Sequence, residues 1–149
     1  MSRSLYFAYG SNLNLRHFKR RCPGAVALGR ARLPDYKLAF TRYNRTHKGG
    51  VADIVPEPAA EVWGALYDVD DACLATLDEY EGVPRSYRRE AVRVFDDQGV
   101  RREAQAYVAN QTGAFAPSRQ YLSIIVEGAR DHGLPEEYIE SIRAVRTYA

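Results

Sequence analysis

Apolar residues in this chain follow strand-like spacing in some segments and helix-like spacing in others, and the order of these segments predicts its elements. Residues 5–9 are apolar and aromatic and are closed by Gly10-Ser11-Asn12, which predicts a mostly buried strand that ends in a sharp turn. The next apolar residues recur at helical spacing, so we expect an amphipathic helix over about residues 13–21. Pro23-Gly24 ends this helix.

The middle of the chain is strand-like. Turn-forming residues separate four short apolar segments, at residues 27–33, 36–41, 50–55 and 62–69. The breaks between them are Pro34, the polar stretch 44–48, and Pro56 with Pro58. The sequence therefore predicts four separate strands in this region.

A helix and a hairpin follow these strands. Residues 70–80 have helical spacing, with Asp70 or Asp71 as the N-cap and Gly82 in a left-handed position at the C-terminal end. Residues 87–95 and 100–108 predict the two arms of a hairpin, because Gly99 can supply the positive φ of a tight turn.

The last third of the chain is helical. Ser118 is a plausible N-cap, and Gly133-Leu134-Pro135 ends the first helix and begins a second that runs to about Val145. With no repeat and no linker, residues 1–149 are expected to form a single α+β domain with helices packed on a strand-rich core.

Composition narrows the class of protein. With 149 residues, 46% of them hydrophobic, the chain has the size and composition of one soluble domain. A fold of this size can bury roughly 68–70% of the surface that the unfolded chain exposes, so we expect it to fold without disulfide or metal support. Cys22 and Cys73 are too few for a disulfide framework. The three histidines are scattered singly, so no zinc-binding spacing exists.

Charge and hydropathy bear on partners and location. The net charge of +2 is too small to argue for nucleic-acid or membrane partners, and the basic run at residues 16–21 is interpreted as the solvated face of a short helix. No apolar run approaches the roughly 20 residues that span a bilayer, and the first residues contain no signal-peptide core. We therefore expect a cytoplasmic protein.

Two features could carry chemistry. The turn at Gly10-Ser11-Asn12 could present backbone N–H groups to an anionic group, although a turn and a cap alone would explain the same residues. Helical spacing places Glu81 between Leu74 and Leu77 on the apolar face of its helix, and Glu79 on the opposite face. A carboxylate directed at the core is paired, hydrogen-bonded or raised in pKa, and a raised pKa suits a general base. The alternative is a structural carboxylate bonded to nearby backbone or to Arg85.

Covalent catalysis is not favoured. The chain has no G-x-S-x-G motif, and Ser11 has no histidine at a recognisable spacing. Both cysteines lie on apolar helix faces, where a buried cysteine is usually inert.

Together these segments resemble the γ-glutamylcyclotransferase family over most of the chain. The matching segments are Tyr6-Phe7-Ala8-Tyr9-Gly10-Ser11-Asn12-Leu13, Gly49-Gly50-Val51-Ala52, Val62-Trp63-Gly64, Leu77-Asp78-Glu79-Tyr80-Glu81-Gly82-Val83, Pro117-Ser118-Arg119-Gln120-Tyr121, Gly128-Ala129 and Gly133-Leu134-Pro135-Glu136-Glu137-Tyr138. The C-terminal segments are similar to the members that act on γ-glutamyl amino acids.

The resemblance implies a small mixed β-barrel flanked by helices and an enzyme that needs no cofactor or metal. In this family the substrate's own α-amine attacks its γ-carbonyl, which releases 5-oxoproline and a free amino acid in glutathione metabolism. The resemblance implies that Glu81 is the general acid/base. It implies that the substrate-binding residues are Tyr6, Phe7, Ala8, Tyr9, Gly10, Ser11, Asn12 and Tyr121. Similar members are often dimers, so a homodimer is expected.

Two alternatives remain at this stage. One is a non-catalytic module that binds γ-glutamyl groups or carboxylates, and the other is a cyclotransferase for a different γ-glutamyl amide, such as a γ-glutamylamine. The loop at residues 44–48 is more basic than the resemblance predicts, with Lys48 in place of an expected histidine. The preferred amino-acid portion of the substrate therefore stays open.

Overall fold

A computed structural model describes residues 2–148 of the chain. These residues contain five β-strands and four α-helices. The strands are β1 (Arg3–Ala8), β2 (Val26–Asn44), β3 (Gly49–Asp70), β4 (Tyr87–Asp96) and β5 (Arg101–Ala109). The helices are α1 (Leu15–Arg21), α2 (Asp71–Glu81), α3 (Arg119–Asp131) and α4 (Glu136–Arg143), and a 3-10 turn (Ser11–Leu13) lies between β1 and α1. None of the helices in these residues is long and apolar enough to cross a bilayer.

The strands close into a barrel in the order β1-β3-β2-β4-β5. β1 pairs antiparallel with β3, where Tyr6 lies opposite Tyr67, and parallel with β5, where Tyr6 lies opposite Gln105. The last residues of β1 are buried on both faces, which explains their continuous apolar run. The predicted α+β fold, a small mixed barrel with flanking helices, is confirmed.

The four strands predicted between residues 27 and 69 are wrong in number, because the structure has two long ones. β2 and β3 form one antiparallel hairpin that runs through the prolines. The register shifts between Pro34 and Tyr36, where Asp35 has a positive φ, so the irregularity is absorbed as a bulge. β1 pairs with β3 only near residues 65–70, and in the described chain the edge of β3 at Pro56 is left without a second neighbour. A proline there interrupts no ladder on that side.

The predicted ends of α2 are confirmed. Asp70 caps the helix by accepting a hydrogen bond from the Cys73 N–H, and Gly82 lies in the left-handed region at φ 69°. The N–H groups of Gly82 and Val83 close the last turn on the carbonyls of Glu79 and Asp78. These two ends fix Glu81 as the last residue of the helix.

The expectation of a fold without a disulfide is wrong. Cys22, at the end of α1, is bonded to Cys73, in the first turn of α2, with a Cα–Cα distance of 5.3 Å. The cysteines are 51 positions apart in the sequence, and only the packing of α1 against α2 brings them together. A count of cysteines carries no signal of such packing. The bond links the two helices that end at Arg21 and Glu81.

Candidate active site

The turn that follows β1 is held by α3. A Cβ at Gly128 of α3 would lie 2.4 Å from the Leu13 carbonyl carbon and 2.5 Å from the Asn14 nitrogen, so only glycine allows this approach. The Asn14 side chain donates a hydrogen bond to the Ile124 carbonyl and accepts one from the His17 N–H at the start of α1. The turn after β1 is therefore held in a fixed position relative to α1 and α3.

Asn12 connects the polar groups of the site. Its buried amide nitrogen donates to the Tyr6 hydroxyl at 2.8 Å and to the Glu81 carboxylate, Oε2, at 3.2 Å. Its amide oxygen accepts a hydrogen bond from the Arg21 guanidinium. One side chain thus orients a tyrosine, a carboxylate and a cation, which come from β1, α2 and α1.

Glu81 has the electrostatics of a proton-transfer group. Burial raises its pKa to about 7 from an ordinary value of 4.5, and the positive charge of Arg21 and the hydrogen bond from Asn12 limit the rise. The carboxyl group therefore changes charge near neutral pH, which suits a general base that later acts as an acid. Glu79 is exposed, as helical spacing predicts.

Buried tyrosines surround this carboxylate. Tyr9 donates to the Tyr107 carbonyl, and Tyr87 donates to the Ala52 carbonyl at 2.6 Å. Burial raises the pKa of both phenols, so both stay protonated and structural.

Two hydroxyls have a different role. Tyr6 accepts from Asn12, and Tyr121 accepts from the Ala52 N–H at 3.0 Å. Burial raises the pKa of both phenols, so both keep their protons. Within residues 2–148 neither hydroxyl donates to a protein acceptor, so each has a proton to offer a ligand.

These groups line two adjoining cavities. An inner recess of about 30 Å³ lies among the tyrosines and the turn, and an outer cleft of about 300 Å³ leads to the surface. Ser11, Glu81, Tyr87 and Tyr121 border both parts. The other wall of the outer cleft is the loop between β2 and β3, where the His47 ring lies 4.6 Å from the ring of Tyr121.

Known proteins share both the sequence and the shape of this chain. A model of the AIG2-like family matches residues 61–142. The gamma-glutamylcyclotransferase of Homo sapiens is 38% identical over 146 residues, covering 95% of this chain and 78% of the human protein, and the Mus musculus protein is 37% identical over 147 residues with the same coverage. The chain belongs to the γ-glutamylcyclotransferase family. It is therefore an enzyme.

A solved structure of gamma-glutamyl cyclotransferase superposes with a TM-score of 0.94 at 36% identity, covering 98% of this chain and 89% of that one. The agreement in shape extends over the barrel and the helices alike. A γ-glutamylcyclotransferase fold therefore positions the recess described above.

Most of the residues predicted from the family resemblance come together in the structure. Glu81 lines the inner recess with six of the predicted binding residues: Tyr6, Tyr9, Gly10, Ser11, Asn12 and Tyr121. The side chains of Phe7 and Ala8 are fully buried and do not line it. Both side chains pack in the hydrophobic core instead.

Three residues at the site are not among those predicted from the sequence. The pattern of α1 predicts a solvated Arg21, yet its side chain reaches Asn12 and stacks over the Tyr80 ring, with its guanidinium carbon 3.5 Å from the ring centroid. Tyr87 and Tyr107 come from β4 and β5 and reach the recess only through barrel closure. No local pattern signals any of the three.

Among residues 2–148, no three His, Cys, Asp or Glu side chains cluster as metal ligands.

Proposed function

We propose that this enzyme converts γ-L-glutamyl-L-amino acids to 5-oxoproline and a free amino acid, with Glu81 as the general acid and base. The observation that carries the proposal is a carboxyl group with a pKa of about 7 at the border of recess and cleft. The names of the human and mouse relatives support the same chemistry.

The reaction is a proton transfer coupled to ring closure. Glu81 takes a proton from the substrate's α-ammonium group, and the freed amine forms a C–N bond to the γ-carbonyl carbon. Protonated Glu81 then delivers that proton to the departing nitrogen as its C–N bond breaks. The ring nitrogen loses a second proton, which the released amino group gains, so atoms and charge balance.

The pKa of Glu81 makes the first step feasible. An α-amine has a pKa of about 8, so an unperturbed glutamate would be weaker as a base by about four units. At a pKa of about 7, Glu81 reduces this gap to about one unit. The recess supplies that difference by burial.

Orientation accounts for much of the remaining rate. Because the nucleophile is part of the substrate, the enzyme needs only to hold the glutamyl chain folded. The free hydroxyl protons of Tyr6 and Tyr121 can donate to its carboxylate or its γ-carbonyl oxygen. Ser11 and Asn12 of the turn line the same recess, and their backbone N–H groups can stabilise developing negative charge.

The test is Glu81→Gln assayed for 5-oxoproline release from γ-glutamyl-alanine. General acid–base catalysis contributes about 10²–10⁴-fold, so the variant should lose at least about 100-fold in kcat. Glu79→Gln is the matched control, since Glu79 is exposed on the same helix and should retain wild-type turnover. Circular dichroism checks that both variants fold. Near-normal turnover by Glu81→Gln would contradict the assignment.

A non-catalytic binding module would bind the substrate without turnover. Nothing about the recess favours it, because Glu81 becomes negatively charged beside a ligand that itself carries a carboxylate. Such a charge weakens binding unless it serves the reaction.

A further inference from the structure

The outer cleft is strongly basic. Its lining includes three arginines, Arg21, Arg42 and Arg45, together with His47, while Glu81 is its only acidic side chain among residues 2–148. Arg42 and Arg45 come from the end of β2 and the loop that follows it. This composition contrasts with the chain as a whole, which has 21 basic and 19 acidic side chains.

The protein does not neutralise these charges. None of the three guanidinium groups forms an ion pair with a carboxylate of residues 2–148, although arginines elsewhere in the chain do so. Arg21 is engaged by Asn12 and by the Tyr80 ring. Arg42 donates to the Asn110 carbonyl at 2.9 Å, and Arg45 is exposed.

The reaction defines which part of the substrate reaches this cleft. If the γ-amide lies at Glu81, the glutamyl group occupies the inner recess and its mouth, and the leaving amino acid extends into the outer cleft. Its volume of about 300 Å³ is at the lower end for small-molecule sites. Every leaving amino acid brings one α-carboxylate, which can pair with one of the two arginines on this wall, Arg42 at the end of β2 or Arg45 in the loop after it. The second is left for another anionic group.

We propose that the outer cleft selects γ-glutamyl substrates whose leaving amino acid is dicarboxylic, aspartate or glutamate, through Arg42 and Arg45. This inference rests on the proposed function and names its substrate class. Guanidinium groups bind carboxylates through paired, charge-assisted hydrogen bonds. A γ-glutamylamine has no carboxylate on its leaving portion, so it leaves both arginines without a partner.

The test compares γ-glutamyl-glutamate with γ-glutamyl-glutamine, which differ in charge and hardly in shape. The wild type should show a kcat/KM about two- to fivefold higher for γ-glutamyl-glutamate, as expected for a partly exposed ion pair. Arg45→Gln should bring this ratio close to one. Arg93→Gln removes the same charge from an exposed position on β4 outside both cavities and should keep the wild-type ratio. A wild-type ratio of one, or a ratio that Arg45→Gln does not change, would overturn the inference.

Failure of the proposed function would look different. In that case neither dipeptide, nor γ-glutamyl-alanine, would release 5-oxoproline. Binding of the two dipeptides, measured by isothermal titration calorimetry, then still tests the cleft. Tighter binding of γ-glutamyl-glutamate that Arg45→Gln abolishes would support it, and equal affinities would overturn it.

Discussion

Arg21→Gln should move the pH dependence of the enzyme without removing the proposed general base, Glu81. Arg21 and Glu81 lie on opposite sides of the Asn12 amide, which accepts a hydrogen bond from one and donates to the other. The positive charge of Arg21 lowers the pKa of Glu81, against the larger effect of burial. Without that charge, the pKa should rise further above 7.

The size of the shift follows from this geometry. Two charges separated by an amide group, about 7 Å apart, interact by about 2 kcal/mol at an effective dielectric constant of about 20. That energy corresponds to about 1.5 pKa units. Arg21 is only partly buried, so solvent screening reduces the expected shift to about one unit. The pKa of Glu81 should therefore rise to about 8 in the variant.

The measurement is kcat/KM for 5-oxoproline release as a function of pH. In the proposed mechanism activity requires the carboxylate form of Glu81 in the free enzyme. The acid limb should therefore have its midpoint at about 7 in the wild type and about one unit higher in Arg21→Gln. The alkaline limb, set by the substrate's ammonium group, is an internal reference that should not move. Arg20→Gln, an exposed neighbour on the same helix, is the charge-matched control. An acid limb near 4.5 in the wild type, or no shift in the variant, would refute this account of Glu81.

Two further predictions concern stability. The native Glu81 carboxyl binds its proton below about 7 and the unfolded one only below about 4.5, so this group makes stability fall as pH rises between these values, by at most about 3 kcal/mol. At a pH of about 8, Glu81→Gln should therefore unfold at a higher urea concentration than the wild type. At a pH of about 4.5, the two proteins should unfold at the same urea concentration. Equal unfolding midpoints at both pH values would argue against a buried carboxyl group. Gly128→Ala should lower the free energy of unfolding, measured in urea, by about 1–3 kcal/mol, because the new Cβ clashes with the turn. The same clash should also reduce activity. Gly24→Ala is the control and should change neither stability nor activity, because a Cβ at residue 24 meets nothing within 4 Å.

Local signals predicted the parts of the site that lie within one element. Asp70 and Gly82 carry cap signatures, and because they fix α2, helical periodicity alone was enough to direct Glu81 inward and Glu79 outward. An aromatic run followed by Gly10 likewise predicts the strand and the turn before residue 13. In each case the information lies within about ten neighbouring residues.

What the sequence could not show depends on distant segments. The prolines between residues 27 and 69 predict breaks, but the two long strands accommodate these prolines at a bulge and at an unpaired edge. The bulge and the edge can be recognised only once the pairing of β2 with β3 is known. Arg21 looks like any solvated arginine until its long side chain meets Asn12, and Tyr87 depends on barrel closure. These contacts form only when segments that are distant in the sequence pack together in the barrel.

The Cys22–Cys73 bond closes a covalent ring that contains β2, β3 and the loop between them. A ring of this size lowers the entropy of the unfolded chain by an amount worth about 4 kcal/mol in the loop-closure model. The hairpin is thus tethered at its base, while its tip, with Arg45 and His47, faces the cleft. If Arg45 selects the leaving group as proposed, substitutions at the tip should change that choice without loosening the base, so this loop is the natural place to redesign substrate preference.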